Sequence, residues 1–214
     1  MVRTWIADIR PLAEKEVYRR YYMDAPGFRK KKADRMRTEQ GKMQSIGVWT
    51  LYENVCRTYN LSKDAVYNFS HSGDYVLCTV ADAAVDGTLA GCDIEAVKTL
   101  RMSVARRFFC EEEYRWIESR ESEEKQCQEF YRYWVLKESF MKAVRMGMKL
   151  PMNTYEIRIG ADDIPVLTRQ PDAIAGEFFF REYKFTKNGE AIPYKIAVCT
   201  TDQEMEEELT EIIL

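Results

Sequence analysis

The chain has 214 residues, 46% of them hydrophobic and 31% charged, with a formal net charge of −3 at pH 7. That balance excludes a disordered polymer and supplies enough apolar surface for one large domain or two modest lobes around a real core. It gives no bulk attraction to nucleic acid or acidic membranes, the first residues break each apolar run with charge, and no stretch approaches the roughly 20 apolar residues of a membrane span, so a cytoplasmic protein is expected, with neither nucleic acid nor membrane as partner.

In chain order, RTWIADIRP (3–11) reads as a short strand ended by Pro11, and LAEKEVYRRYYM (12–23) as a helix stopped near Pro26 and Gly27. A longer helix is predicted from about Phe28 to Tyr59, with Met36, Met43, Ile46, Thr50, Leu51 and Val55 on its buried stripe. Its first turns, FRKKKADRMR, hold six basic residues and one acidic, which suits either a solvated face or an anion site. AVYNFSHSGDYVLCTVA (65–81) reads as a strand, a polar turn at Ser70 to Gly73 and a second strand; DAAVDGTLAGCDIE (82–95) follows as a turn and a third strand. A lobe boundary is expected near residue 98. Beyond it come helices in SVARRFFCEEEYRWIES and EKQCQEFYRYWVLKESFMKAVRMG, then strands in TYEIRIG, GEFFFREYKF and YKIAVCTT, and an acidic tail. Both halves run from helix to antiparallel-looking strands, an α+β pattern of two similar lobes, 1–98 and 99–214. The six cysteines are scattered without a C-x-x-C and the sole histidine is His71, so reduced thiols are expected rather than a structural zinc site.

The stretch GCDIE (91–95) puts Asp93 and Glu95 on one face of a strand and Cys92 and Ile94 on the other. Two adjacent carboxylates call for solvent, a cation or a set of donors. On the helix around residue 138, Phe130, Trp134, Glu138 and Met141 share one face, so Glu138 sits among aromatics and needs a partner. Lys142, four positions on, would make that partner a structural ion pair; a cation shared with Asp93 and Glu95 is the alternative. Three carboxylates without Cys or His form an oxygen-only site that suits Mg2+. FSHSG (69–73) offers hydroxyls, amides and the histidine, as a phosphate cradle or a plain serine-rich turn. No G-x-S-x-G elbow accompanies it, which disfavours a Ser-His nucleophile pair.

Taken together, NFSHSGDYV (68–76), GCDIE, RRFFCEEEY (106–114) and YWVLKESFMKA (133–143) resemble the 4'-phosphopantetheinyl transferases, specifically the broad-specificity type that primes peptide and polyketide synthetases. The order agrees, and Glu95 and Glu138 stand 43 positions apart as that pattern requires. The resemblance implies two similar α/β lobes, a pseudo-duplicated fold, with coenzyme A in the cleft between them. It implies Asp93, Glu95 and Glu138 as Mg2+ ligands, and Ser70, His71, Lys137 and Lys142 as contacts of the coenzyme's phosphates. Glu113 would lie near the metal, and Arg35 or Arg37 would grip the nucleotide phosphate. The implied activity transfers the phosphopantetheine arm of coenzyme A to a serine of an apo acyl or peptidyl carrier protein and releases adenosine 3',5'-bisphosphate, in a monomer. Glu138, Lys142 and Glu95 would carry the catalysis, with Glu138 or a water on the metal taking the serine proton. A Mg2+-dependent phosphohydrolase and a non-catalytic carrier-binding homologue are the other readings. One departure stands out: the family's strand and Gly-Lys-Pro loop before the Ser-His-Ser turn are reduced here to NLSKDAVYN (60–68), and Lys63 has no flanking Gly or Pro.

Overall fold

The structure, a computed structural model, describes residues 1–62, 64–82 and 87–214; Lys63 lies outside the described residues. Strand β1 (Val2–Asp8) buries Val2, Trp5, Ile6 and Ala7 and gives way to a single 3-10 turn that contains Pro11. Helices α1 (Lys15–Asp24), α2 (Gly27–Asp34) and α3 (Glu39–Tyr59) follow. The single helix expected from 28 to 59 is therefore two. Thr38 is extended at φ −116°, ψ 149°, and its hydroxyl accepts the Gly41 amide at 3.1 Å, an N-cap that starts α3 afresh.

Strands β2 (Val66–Ser72) and β3 (Tyr75–Ala81) form a hairpin. The expected turn at 70–73 shrinks to Gly73 and Asp74, because Gly73 adopts φ +53° and lets Ser72 pair directly with Tyr75. Ser70, His71 and Ser72 thus belong to a strand. After β4 (Ala90–Ala96) come α4 (Met102–Phe108), α5 (Glu111–Glu118) and α6 (Glu123–Ala143). The last part holds β5 (Glu156–Ile159), β6 (Pro165–Arg169), β7 (Phe179–Tyr183), β8 (Thr186–Lys187), β9 (Glu190–Ala191), β10 (Tyr194–Thr200) and β11 (Thr210–Glu211).

Among the described residues there are two main sheets, β11-β1-β3-β2 and β4-β10-β7, and two hairpins, β5-β6 and β8-β9. One sheet packs its outer face on α3 through Trp5, Leu51, Val55, Val76 and Val80. The other packs on α6 through Leu136, Phe140, Ala197 and Cys199. Between the sheets lie Val2, Ile6, Leu77, Cys92, Ile94, Ile196 and Val198, so the order is helix, sheet, sheet, helix, an α+β fold. Each half lends a strand to the other: β4 pairs with β10, and β11 of the acidic tail runs parallel to β1.

The edges of β2 and β4 meet without a backbone ladder. Instead the side-chain oxygens of Asn68, Ser70 and Ser72 accept the amides of Cys92, Ile94 and Ala96 at 3.1, 3.4 and 3.1 Å. Three polar residues at period two replace a row of carbonyls, satisfying donors that burial would otherwise leave orphaned. On the opposite side of β4, a Cβ at Gly91 would collide with the carbonyl of Ser139 and the backbone of Ala143. Only glycine lets α6 lie that close, and this contact presents the end of α6 to the carboxylates of β4.

Candidate active site

Alternation along β4 turns Cys92 and Ile94 into the layer between the sheets and Asp93 and Glu95 toward α6. Asp93 is only 3% exposed. Its Oδ1 accepts the Ser70 hydroxyl at 2.7 Å and the Lys142 ammonium at 2.7 Å, while its Oδ2 is buried with no hydrogen-bond partner among the described residues. Glu95 Oε2 accepts from the Ser72 hydroxyl at 2.7 Å. The serines that stitch β2 to β4 therefore also aim the two carboxylates. Glu138, half-buried on α6, makes no hydrogen bond or ion pair among the described residues, so Lys142 serves Asp93 and the intrahelical pair considered from sequence does not form.

Burial, and next the charge of Asp93, push the carboxyls of Glu95 and Glu138 above the ordinary range. Burial opposes the Lys142 ammonium, but Asp93, Cys92 and Glu138 together outweigh it and the lysine pKa is raised. The cluster carries more negative charge than one ammonium offsets.

A run of cations leads up to it. On the face of β2 opposite the serines stand Tyr67, Phe69 and the exposed His71. Desolvation, then the charges of Lys142 and Lys32, hold the His71 imidazole below its ordinary pKa. Burial and then Arg29 likewise lower Lys32. Arg29 is 6% exposed, with its guanidinium 4.9 Å from the Trp49 ring and 5.6 Å from Phe69; among the described residues neither its Nε nor the buried Trp49 Nε1 has a partner. No described carboxylate pairs with this arginine. Arg35 and Arg37, which the resemblance put forward, are exposed at and beyond the end of α2 and make no hydrogen bond or ion pair among the described residues. Arg29 lies in the same basic run, and its one distinguishing signal is the apolar neighbourhood of Phe28 and, one helical turn on, Ala33.

Lys137 and Glu113 are not brought to this cluster. Lys137 is 0% exposed and donates to Glu113 Oε1 at 2.7 Å and to the Tyr155 carbonyl at 3.0 Å. Glu113 also accepts the amides of Ile157 and Cys110, both at 2.9 Å. The pair ties α5, α6 and β5 together inside the core. Being adjacent to Glu138, Lys137 points about 100° away around the helix.

The donor set near Asp93 consists of oxygens, with one buried carboxylate oxygen unsatisfied and two more carboxylates under mutual repulsion, which fits a hard divalent cation such as Mg2+. As the side chains stand, with the ammonium on Asp93, no three described His, Cys, Asp or Glu side chains close on a common point.

Residues 90–199, just over half the chain, match the 4'-phosphopantetheinyl transferase superfamily. The 4'-phosphopantetheinyl transferase Sfp of Bacillus subtilis (strain 168) is 29% identical over 222 residues, covering 95% of this chain and 93% of that protein. The 4'-phosphopantetheinyl transferase ffp of Bacillus subtilis is 33% identical over 150 residues, 70% of this chain and 61% of that protein. Among solved structures, Thermotoga maritima holo-acyl-carrier-protein synthase (AcpS) aligns with a TM-score of 0.42 at 20% identity over 54% of this chain and 64% of that one. The matched residues contain β4 with Asp93 and Glu95, α6 with Glu138 and Lys142, and the buried Lys137–Glu113 pair. The chain belongs to the 4'-phosphopantetheinyl transferase superfamily and is a transferase of that group.

Proposed function

We propose that the chain transfers the phosphopantetheine arm of coenzyme A to a serine of an apo acyl or peptidyl carrier protein, with Mg2+ held by Asp93, Glu95 and Glu138. The observation that carries this is the buried Asp93 Oδ2, unpartnered among the described residues, whose carboxylate charge acts on the half-buried Glu95 and Glu138, at the end of a run of cations suited to nucleotide phosphates. A bound magnesium ion would offset negative charge on the diphosphate as the bond to the leaving group lengthens.

The remaining work falls to the chain's own side chains. Arg29, Lys32 and His71 hold the nucleotide phosphates, and Ser70 and Ser72 keep Asp93 and Glu95 aimed. Lys142 neutralises the leaving phosphate. Glu138, whose oxygens no other described residue occupies, takes the serine proton. The serine oxygen bonds to the phosphorus next to pantetheine, the bond from that phosphorus to the nucleotide breaks, and adenosine 3',5'-bisphosphate leaves. Lys137 acts only through the core.

A cavity of about 140 Å3 is lined by Glu95, Lys98, Arg101, Phe130 and Trp134, and Lys98 and Arg101 there would speed encounter with an acidic carrier protein. The same reading makes the enzyme a cytoplasmic monomer of two lobes, 1–98 and 99–214, that engages neither nucleic acid nor membrane; no described helix is long and apolar enough to cross a membrane. Incubation with coenzyme A, Mg2+ and a panel of apo carrier proteins, read by intact mass, should add one phosphopantetheine to the carrier serine. Breakdown of coenzyme A with no carrier present would favour the phosphohydrolase instead.

A further inference from the structure

The Lys142 ammonium has three N–H bonds and three oxygen acceptors: Asp93 Oδ1 at 2.7 Å, Ser70 Oγ at 2.9 Å and the Cys92 carbonyl at 3.1 Å. A carboxylate, a hydroxyl and a main-chain carbonyl are the kinds of oxygen that a hard cation gathers. The arrangement is fixed from both sides. Ser70 is held by its bond to Asp93 and by the Ile94 amide, and Lys142 is carried on the turn of α6 that Gly91 lets down onto β4. Among the described residues, Asp93 forms its only ion pair with this lysine, and no other cation touches the three carboxylates.

We infer that Lys142 is the resting counter-ion of the carboxylate cluster, so that it excludes a divalent cation from Asp93 until the diphosphate of an incoming nucleotide draws the ammonium away. One side chain then has two successive partners, the Asp93 carboxylate in the free enzyme and a phosphate in the loaded one. Holding an ammonium and a divalent cation on the same carboxylate is opposed by their repulsion in a site shielded from water, so the cation and the nucleotide load together. In the free enzyme, the same pair keeps three neighbouring carboxylates from repelling the end of α6 off β4. The inference rests on the reading of Asp93, Glu95 and Glu138 as ligands of a divalent cation.

The test measures binding of Mn2+ alone to the full chain by electron paramagnetic resonance, without nucleotide, for the wild type, Lys142→Met and Lys142→Gln. Glutamine keeps a neutral donor for Asp93 and guards against a methionine variant that fails to fold. Lys98→Met serves as control, because Lys98 acts on Glu95 only through its field. Both Lys142 variants should bind Mn2+ at least about tenfold more tightly than the wild type, and Lys98→Met less than about threefold. In chelator, Lys142→Met should melt below the wild type and recover on adding Mn2+ alone. Mn2+ affinity in the Lys142 variants equal to or weaker than wild type overturns the inference while leaving the metal site standing. An equal gain in Lys98→Met overturns it as well, by reducing it to a general field effect. If none of the proteins binds Mn2+ even with coenzyme A present, the metal assignment itself fails and the inference falls with it.

Discussion

Helix α6 carries two lysines five residues apart, each bonded to a carboxylate at 2.7 Å, and the two pairs do opposite things. Around Lys137 and Glu113 the available hydrogen-bonding groups are used: Glu113 takes two amides besides the ammonium, and Lys137 also reaches the Tyr155 carbonyl. Around Lys142 and Asp93 the account stays open, with one carboxylate oxygen orphaned and two further carboxylates close by. Bond length therefore does not tell the two kinds of pair apart. What distinguishes them is whether any valence remains for a ligand.

The sharpest way to break this contrast is to change one member at each place. Glu138→Gln keeps the side chain's shape and loses its charge and basicity, and should reduce turnover by about 10²- to 10⁴-fold while the protein stays folded and still binds coenzyme A. Partial recovery at higher pH would fit a lost base, recovery in excess Mg2+ a lost ligand, and unchanged turnover would remove Glu138 from the site. Asp93→Ala should abolish activity without unfolding the chain, and full turnover in excess chelator would sink the metal assignment.

Lys137→Met should do the reverse. Leaving the Glu113 carboxylate buried and unpaired costs about 3–5 kcal/mol, visible in chemical denaturation, whereas kcat of the folded fraction should stay near wild type. A loss of kcat with unchanged stability would return Lys137 to the phosphates.

A smaller effect is expected at the cation run. Arg29→Met should weaken coenzyme A by about tenfold to a hundredfold, from charge-assisted bonds of roughly 1.5 to 3 kcal/mol, and dephospho-coenzyme A much less. Replacing Arg35 and Arg37 together should leave both ligands nearly unaffected. The opposite ranking in a binding titration would restore the exposed arginines to the nucleotide.

The carboxylates and Lys142 were legible because strand alternation and helical spacing place side chains on known faces. Lys137 was placed at the phosphates by the family resemblance alone, although a residue next to Glu138 on a helix faces another way. Arg29 was hidden in a run of five cations near it, since burial depends on Trp49 and Phe69, residues that only the fold brings to it. The Asn68, Ser70 and Ser72 seam was equally hidden: alternating polar residues look like a solvated strand face until β4 is seen beside them. The break at 35–38 was missed because the basic run favours helix and only Thr38 marks a new start.

The smallest expected effect concerns pH and compares the open cluster with itself. Burial and Asp93 raise the Glu95 and Glu138 carboxyls in the folded state, so in metal-free buffer the folded protein retains protons that the unfolded chain has released. Stability should then be greatest below the ordinary glutamate pKa and decline as pH rises through the raised values, the reverse of the usual paired carboxylate. Melting curves in chelator should show this as a modest fall in Tm over the pH interval above the ordinary glutamate pKa. Glu138→Gln should flatten it, because the titrating group is gone and Glu95 has one charged neighbour fewer. Mg2+ with coenzyme A should flatten it in the wild type, since a bound cation favours the charged forms. A Tm that instead rises across this interval in the wild type, and equally in Glu138→Gln, would mean that Lys142 already neutralises the cluster by itself, making it as closed as the pair at Lys137.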